Sequence, residues 1–413
     1  MQTGSAEDYV ADDTPKSFRR SVGTAVLAIG SFLVGSMLTI MIPILPNVAK
    51  ELTGGTNTLG SQMLIAAPMT GLVIGGLAAT MVFARFAPRT VFLGCLVLYG
   101  AVGLIGYVAD LPTLIASRLL IGIISALIGA ASTALVGERV APQNRPRVLG
   151  FAVACSSALG IIAMIISGRV ADHVGWRSSF LIFPVLAALV FLVAYTCSSP
   201  SKARVAQKGA DTGYKWNALV VLWPIFLFVL LVNITAFTTN SQQSFVLAED
   251  GVTTASVRAM FGGINQAMLV LAAFSFPLVR RLIGFRLIPA LILLVMGVGL
   301  VLLGTSQGLT GIGVALGVLG IGNGLLFPFQ SSMMLHKAAP EVRGQAAGLM
   351  VSCQFVADAL NPFALAPAIQ MLGLRNTIAL VGGIALLGCI AAIVIGFRYL
   401  SNLEPVGAQV SHG

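Results

Sequence analysis

Apolar stretches of roughly 20 residues recur along this chain between short polar breaks, each long enough to cross about 30 Å of hydrocarbon. Twelve are predicted: 21–46, 58–84, 89–109, 112–138, 147–169, 177–198, 217–246, 255–280, 286–306, 308–336, 344–368 and 376–400. They are apolar all round, which predicts helices. The strands of a membrane barrel would alternate polar and apolar residues. The one long polar break, 199–216, carries Lys202, Arg204, Lys208, Asp211 and Lys215 among Ser and Gly, and splits the spans six and six. The expected organisation is a disordered cytoplasmic tail (1–20), a six-helix bundle (21–198), a cytoplasmic linker (199–216), a second six-helix bundle (217–400) and a cytoplasmic tail (401–413). The polar start and the long first span predict no cleavable signal peptide.

The two halves repeat. At a constant spacing of 198, Gly122, Pro142, Arg145, Gly150, Cys155, Gly175 and Arg177 match Gly320, Pro340, Arg343, Gly348, Cys353, Gly373 and Arg375. Seven ungapped matches in one register exceed chance. An even number of spans separates the copies, so both point the same way, related by an axis along the membrane normal.

Composition agrees with a membrane protein: 57% hydrophobic and only 9% charged. A net charge of +10 could suggest nucleic acid, but its distribution gives it another meaning. Of 24 Lys and Arg, Lys50, Arg169, Arg177, Arg258 and Arg375 fall on one side and Arg118 inside a span; the other eighteen share the side of the N-terminus. That asymmetry orients both termini to the cytoplasm and leaves no basic patch on a folded face for nucleic acid. The five cysteines lie in or beside apolar runs without metal-type spacing and read as packing residues. No nucleophile elbow, zinc-protease motif or phosphate-binding loop occurs, so the reading is not an enzyme, not an ATP pump, and needs neither cofactor nor metal.

Two charges stand out. Asp358 is the only one of fourteen acids deep in a span, and Arg118 the only basic residue well inside one. Each costs about 2.5–3.5 kcal/mol at a helix centre. A carboxylate that takes a proton in one state and releases it in another couples transport to a proton gradient. The alternative for Asp358 is capping of donors near a helix break expected at Asn361-Pro362. For Arg118 it is a fixed hydrogen-bonding hub; a direct Arg118–Asp358 pair is a further option. Polar faces also appear. Asn323, Phe327 and Gln330 share one side of span ten, and Asn233, Phe237 and Asn240 one side of span seven. Gln266 in span eight and Ser36, Met37 and Thr39 in span one are further candidates. Together these candidates, with Arg118, predict a cavity for a mid-sized, partly polar or aromatic ligand. The alternative is hydrogen bonding between helices.

Architecture and local motifs together resemble the major facilitator superfamily, an all-α membrane fold of twelve helices in two bundles related by a pseudo-two-fold. Arg118-Leu-Leu-Ile-Gly122 is similar to the family's R-x-x-x-G segment in span four. Gly175-Trp176-Arg177-x-x-Phe180 and Ala339-Pro340-x-x-Arg343-Gly344 resemble the drug:proton antiporter branch. Two motifs depart from the pattern. Ala84 and Ala87 replace an acid and a glycine between spans two and three, and Ser156–Met164 lacks the antiporter proline and glycine pair. The resemblance implies a cavity lined by spans one, four, seven and ten, and a coupling-related Arg118. The expected function is proton-coupled efflux of a drug or metabolite by a monomer in a bacterial inner membrane. The partners are substrate, protons and the bilayer, and the proton gradient is the energy source. Proton-coupled uptake or facilitated diffusion of a small solute, including an anionic one, stays open. So does a non-transporting sensor or scaffold.

Overall fold

The computed structural model describes residue 30 and residues 33–55, 59–139, 145–197, 219–339 and 342–399. The expected tails and linker (1–20, 199–216, 401–413) lie outside the described residues. Among the described residues there are no strands, and twelve helices are long and apolar enough to cross a membrane. In chain order they are α1 (Leu33–Thr53), α2 (Leu59–Phe83), α3 (Pro88–Ile105), α4 (Leu111–Arg139), α5 (Arg145–Val174) and α6 (Ile182–Cys197). Then follow α7 (Trp223–Glu249), α8 (Ala255–Ile283), α9 (Ile288–Thr305), α10 (Leu309–Lys337), α11 (Arg343–Leu372) and α12 (Leu374–Tyr399). Mean hydropathy over these spans runs from 1.3 to 2.5.

Prolines account for two differences from the sequence expectation. The first span was expected to stop at 46, but α1 continues to Thr53. A 3-10 turn at Ile42–Ile44 restarts the helix, with Pro43 and Pro46 in first-turn positions where a missing N–H costs nothing. The break expected at Asn361-Pro362 does not occur, because α11 runs unbroken through Pro362 and Pro367. Asn361 instead ties α11 to α7. Its amide nitrogen donates to the Ile234 carbonyl (2.8 Å) and Thr238 Oγ1 (3.0 Å), and its oxygen accepts from Ser241 Oγ (2.8 Å).

The internal repeat persists as contacts. A Cβ on Gly122 of α4 would lie 2.1 Å from the Pro68 carbonyl of α2, and one on Gly320 of α10 would lie 2.4 Å from the Asn265 carbonyl of α8. These helix pairs therefore cross backbone to backbone, the use of small residues expected between membrane helices. The motif at Gly175 is likewise structural. Gly175 (φ 97°) turns the chain so that Trp176 Nε1 donates to Glu51 Oε2 (2.6 Å) and Arg177 pairs with Glu51 Oε1 (3.1 Å), joining the ends of α1 and α6. At the repeat spacing, Gly373 (φ 82°) precedes Arg375, which pairs with Asp250 (2.7 Å) and Glu249 (3.7 Å), joining α7 to α12. Large apolar side chains such as Leu77, Phe274 and Leu387 point outward, as expected where hydrocarbon is the solvent.

Candidate functional site

Among the described residues, hydrogen bonds join the halves at the face that carries the Glu51 and Arg375 knots. The Asp172 carboxylate of α5 accepts from the first two amides of α8, Ala255 N (2.7 Å) and Ser256 N (2.9 Å). This places an anion on a helix N-terminus, where the unpaired N–H groups and the helix dipole favour it. Arg258, buried one turn further, donates to Asn47 Oδ1 of α1 (2.6 Å). Ser244 Oγ of α7 donates to the Ile42 carbonyl (2.6 Å). The sequence reading had counted Arg258 only among the five charges on one side of the membrane, at the start of span eight. Its distance of three residues from the start of α8 was the available signal.

Below this gate α5 and α8 touch through glycine. A Cβ on Gly168 would stand 2.7 Å from the Ala255 carbonyl and 2.9 Å from Ala259 Cβ. Gly168→Leu should therefore wedge the gate. Overlap of this kind costs about 1–3 kcal/mol, which shifts a two-state equilibrium by about 5- to 150-fold. Spin labels at Thr53 and Thr254, in a cysteine-free background, should report a main distance longer than in the parent. An unchanged distance distribution would show that Gly168 does not control closure.

Beyond the gate two chambers meet at Asn240. One, of about 320 Å³, is walled by α1 (Gly35, Thr39), α5 (Ser156, Ser157, Gly160) and α8 (Gln266). The other, of about 170 Å³, is walled by α7 (Asn233, Phe237), α10 (Asn323, Phe327, Gln330) and α11 (Gln354, Phe355, Asp358). Phe327 lines this chamber and is 59% exposed, so the chamber is not sealed from solvent. Of the predicted site residues, Thr39, Asn233, Phe237, Asn240, Gln266, Asn323, Phe327, Gln330 and Asp358 are thus brought around one cavity.

Three predicted residues are not. Ser36 and Met37 are buried in the bundle; the Ser36 hydroxyl shares a hydrogen bond with Tyr99 (2.8 Å). The wetted face of α1 is 35, 38, 39 and 42, so of the three residues expected there only Thr39 reaches the chamber. Arg118 is also corrected as a cavity residue. It is completely buried within the first half, its guanidinium 4.9 Å from the Phe180 ring centroid and 4.7 Å from that of Phe183. Its three side-chain nitrogens find no hydrogen-bond acceptor, and it forms no pair with Asp358. Span four lends no residue to either chamber, contrary to expectation.

Gln354 and Phe355 were missed in the sequence. Gln354 Nε2 donates to Gln330 Oε1 (2.6 Å), bridging α11 and α10. Gln354 and Asp358 are four apart on one helical face, a spacing legible in the sequence. Asn323 and Gln330 each keep one amide atom without a protein partner. The Asp358 carboxylate has neither hydrogen bond nor ion pair among the described residues, and no other ionisable group lines either chamber. Pro362, four residues on, lacks the N–H that would bond the Asp358 carbonyl, so this turn of α11 offers both a carboxylate and a free backbone acceptor. What the walls offer chemically is one carboxyl group, several amides and three phenyl faces, almost all from the second half.

Residues 27–362 match a family model described as Major Facilitator Superfamily. Among curated proteins, multidrug resistance protein 1 of Bacillus subtilis is 26% identical over 253 residues, 59% of this chain and 64% of that protein. The MFS-type transporter TOXA of Cochliobolus carbonum is 25% identical over 205 residues, 48% of this chain but 36% of that protein. The matches thus span less than two thirds of these relatives' length. In fold, the chain is similar to a nucleoside transporter, NupG (TM-score 0.74, 14% identity, 90% of this chain and 99% of that one). It is also similar to a bacterial homologue of the lysosomal transporter Spinster in an inward-facing, unoccupied conformation (TM-score 0.70, 14% identity, 93% and 96%).

Proposed function

The chain belongs to the Major Facilitator Superfamily, and from that premise we propose that it exports small organic molecules in exchange for protons, by alternating access around the cavity at Asn240. The observation that carries this reading is Asp358. Among the described residues it is the sole ionisable side chain of the chamber walls and has no partner to hold its charge. A group so placed can be served by a proton or by a substrate, and competition between the two is what exchange requires. Relatives named as efflux pumps support the outward direction. The excess of Lys and Arg supports a cytoplasmic location for the face away from the gate and both termini. The gate then closes the outer side.

The wall chemistry supports a neutral or cationic substrate with aromatic surface and amide-reachable donors and acceptors. Phe237, Phe327 and Phe355 give stacking faces, and the unpartnered atoms of Asn323 and Gln330 await a hydrogen-bonding group. An anionic solute finds no cation in these walls, since Arg118 is sequestered from the cavity.

The test is flux in proteoliposomes with and without an imposed pH gradient, using a panel of lipophilic amines and neutral heteroaromatics. One exchanged proton across one pH unit is worth 1.36 kcal/mol, so about tenfold accumulation is expected. Equilibration that ignores the gradient would replace this reading with a uniporter. Absence of flux across the panel would replace it with a sensor.

A further inference from the structure

The two halves treat one seam differently. In the first half, α1 and α6 close on an aromatic filling. Tyr99 reaches from α3 to the Ser36 hydroxyl and the Leu33 carbonyl (3.0 Å), with the Phe183 ring of α6 5.6 Å away. At the repeat spacing, Ser36 and Phe183 become Ile234 and Val381. There the second half leaves a crevice of about 580 Å³ between α7, α9, α10, α11 and α12. It extends along α7 from Pro224 to Thr235, a rise of about 16 Å. Thr235, the only side chain of its lining with a polar atom, turns its hydroxyl back to the Leu231 carbonyl (3.3 Å). Leu231 (55% exposed) and Ile384 (59%) flank its mouth on the outer surface of the bundle. A long slot with no available polar group, opening where hydrocarbon is the solvent, fits an acyl chain and offers nothing to orient a polar ligand.

Charge beside the slot identifies the rest of the occupant. Pro289 lines the crevice three residues after Arg286. Phe329, also in the lining, lies 5.1 Å from the Phe285 ring, and the Arg280 guanidinium sits 5.1 Å over that same ring. His336 is 3.4 Å from Arg280, and Arg281 and Lys337 end the same two helices. We propose that this crevice is a binding site for an anionic phospholipid, with one acyl tail between α7 and α12 and the phosphate held by Arg280 and Arg286. The site is separate from the transport cavity but backs onto it. Leu231, Val232, Ile234 and Thr235 of α7 face the crevice, while Asn233, Phe237 and Asn240 face the chambers. A tail in the slot braces the cavity wall from behind.

The full-length protein in nanodiscs, with phosphatidylglycerol carrying a diazirine in one acyl chain, tests this by mapping adducts after irradiation. Adducts should concentrate on α7 and α12 peptides, about tenfold above the same probe built on phosphatidylcholine. Val381→Phe with Gly388→Phe, which fills the slot as Phe183 fills its counterpart, should remove them. Labelling at the exposed Val97 and Leu98 of α3 should not change. Gly388→Phe alone serves if the pair unfolds, since a Cβ there meets Leu293 at an ordinary 3.6 Å. Arg280→Gln with Arg286→Gln should erase the preference for the anionic probe. The proposal is overturned by adducts no denser on α7 and α12 than on α3. It is equally overturned by labelling that survives the filled slot, by equal labelling from both phospholipids, or by a diazirine fatty acid that labels as well as phosphatidylglycerol.

Discussion

Asp358→Asn is expected to abolish proton-driven accumulation while substrate binding and gradient-independent exchange survive. Asn has the size of Asp and can still accept and donate hydrogen bonds, but it stays neutral at every pH. No ion pair is broken, because the Asp358 carboxylate has no partner among the described residues, so no buried cation is orphaned. The tie between α11 and α7 is made by Asn361, one turn away, and is untouched. The fold should therefore persist, with an unfolding temperature close to the parent's. The functional change should be complete: a concentration ratio of about ten at one pH unit should fall to one. A membrane potential of 100 mV, worth about 2.3 kcal/mol per charge, should cease to add through this residue. The direct readout is a pH dye inside proteoliposomes as substrate is added. Proton movement equal to the parent's in this variant would remove Asp358 from the coupling.

Which features could be read in the sequence follows from how locally each is determined. Span number and the six-and-six repeat follow from the length of apolar runs and from residues such as Gly122 and Gly320, because a bilayer permits few alternatives to a helix. The polar faces of α7 and α10 were legible for the same reason: Asn323, Phe327 and Gln330 lie at helical spacing, so whatever meets one meets the others. Facing was harder where a helix restarts. The 3-10 turn at Ile42–Ile44 and the buried Ser36–Tyr99 bond put residues 35, 38, 39 and 42 on the wet side of α1, and no polarity contrast in that stretch shows it. Pairings between distant segments were not legible at all. Asp172 on the N-terminus of α8, Arg258 on Asn47 and Gln354 on Gln330 each join residues that the sequence does not align. Arg118 shows the limit most plainly. A charge in a span signals that it has a setting of its own, but the two phenylalanine rings it rests on come from a different helix and its lead-in turn.

That same residue carries the second large expectation. Arg118→Leu should preserve or raise thermal stability yet lower proton-driven transport by about tenfold or more. Leu316, at the repeat position in α10, is itself completely buried, so the fold already accommodates leucine in that setting. Burying an ion costs several kcal/mol after relaxation. Stacking on aromatic faces returns about 2 kcal/mol when desolvated, and here no acceptor meets the three nitrogens. Removing the charge therefore relieves more than it forfeits. What it takes away is a fixed positive field behind the cavity wall. The guanidinium rests on Phe183, Phe183 on Tyr99, and Tyr99 holds Ser36, whose helix turns Gly35 and Thr39 into the chamber. Arg118→Lys keeps the charge but loses the planar stack, so it should be less stable than the parent and better coupled than Arg118→Leu. If Arg118→Leu instead transports like the parent, the residue is packing alone. If it loses stability and transport together, the stack outweighs the desolvation. Packing relayed through Phe183 and Tyr99 would also uncouple a stable Arg118→Leu, so Arg118→Lys decides between them: coupling kept by a charge without the planar stack marks a field acting on the cavity.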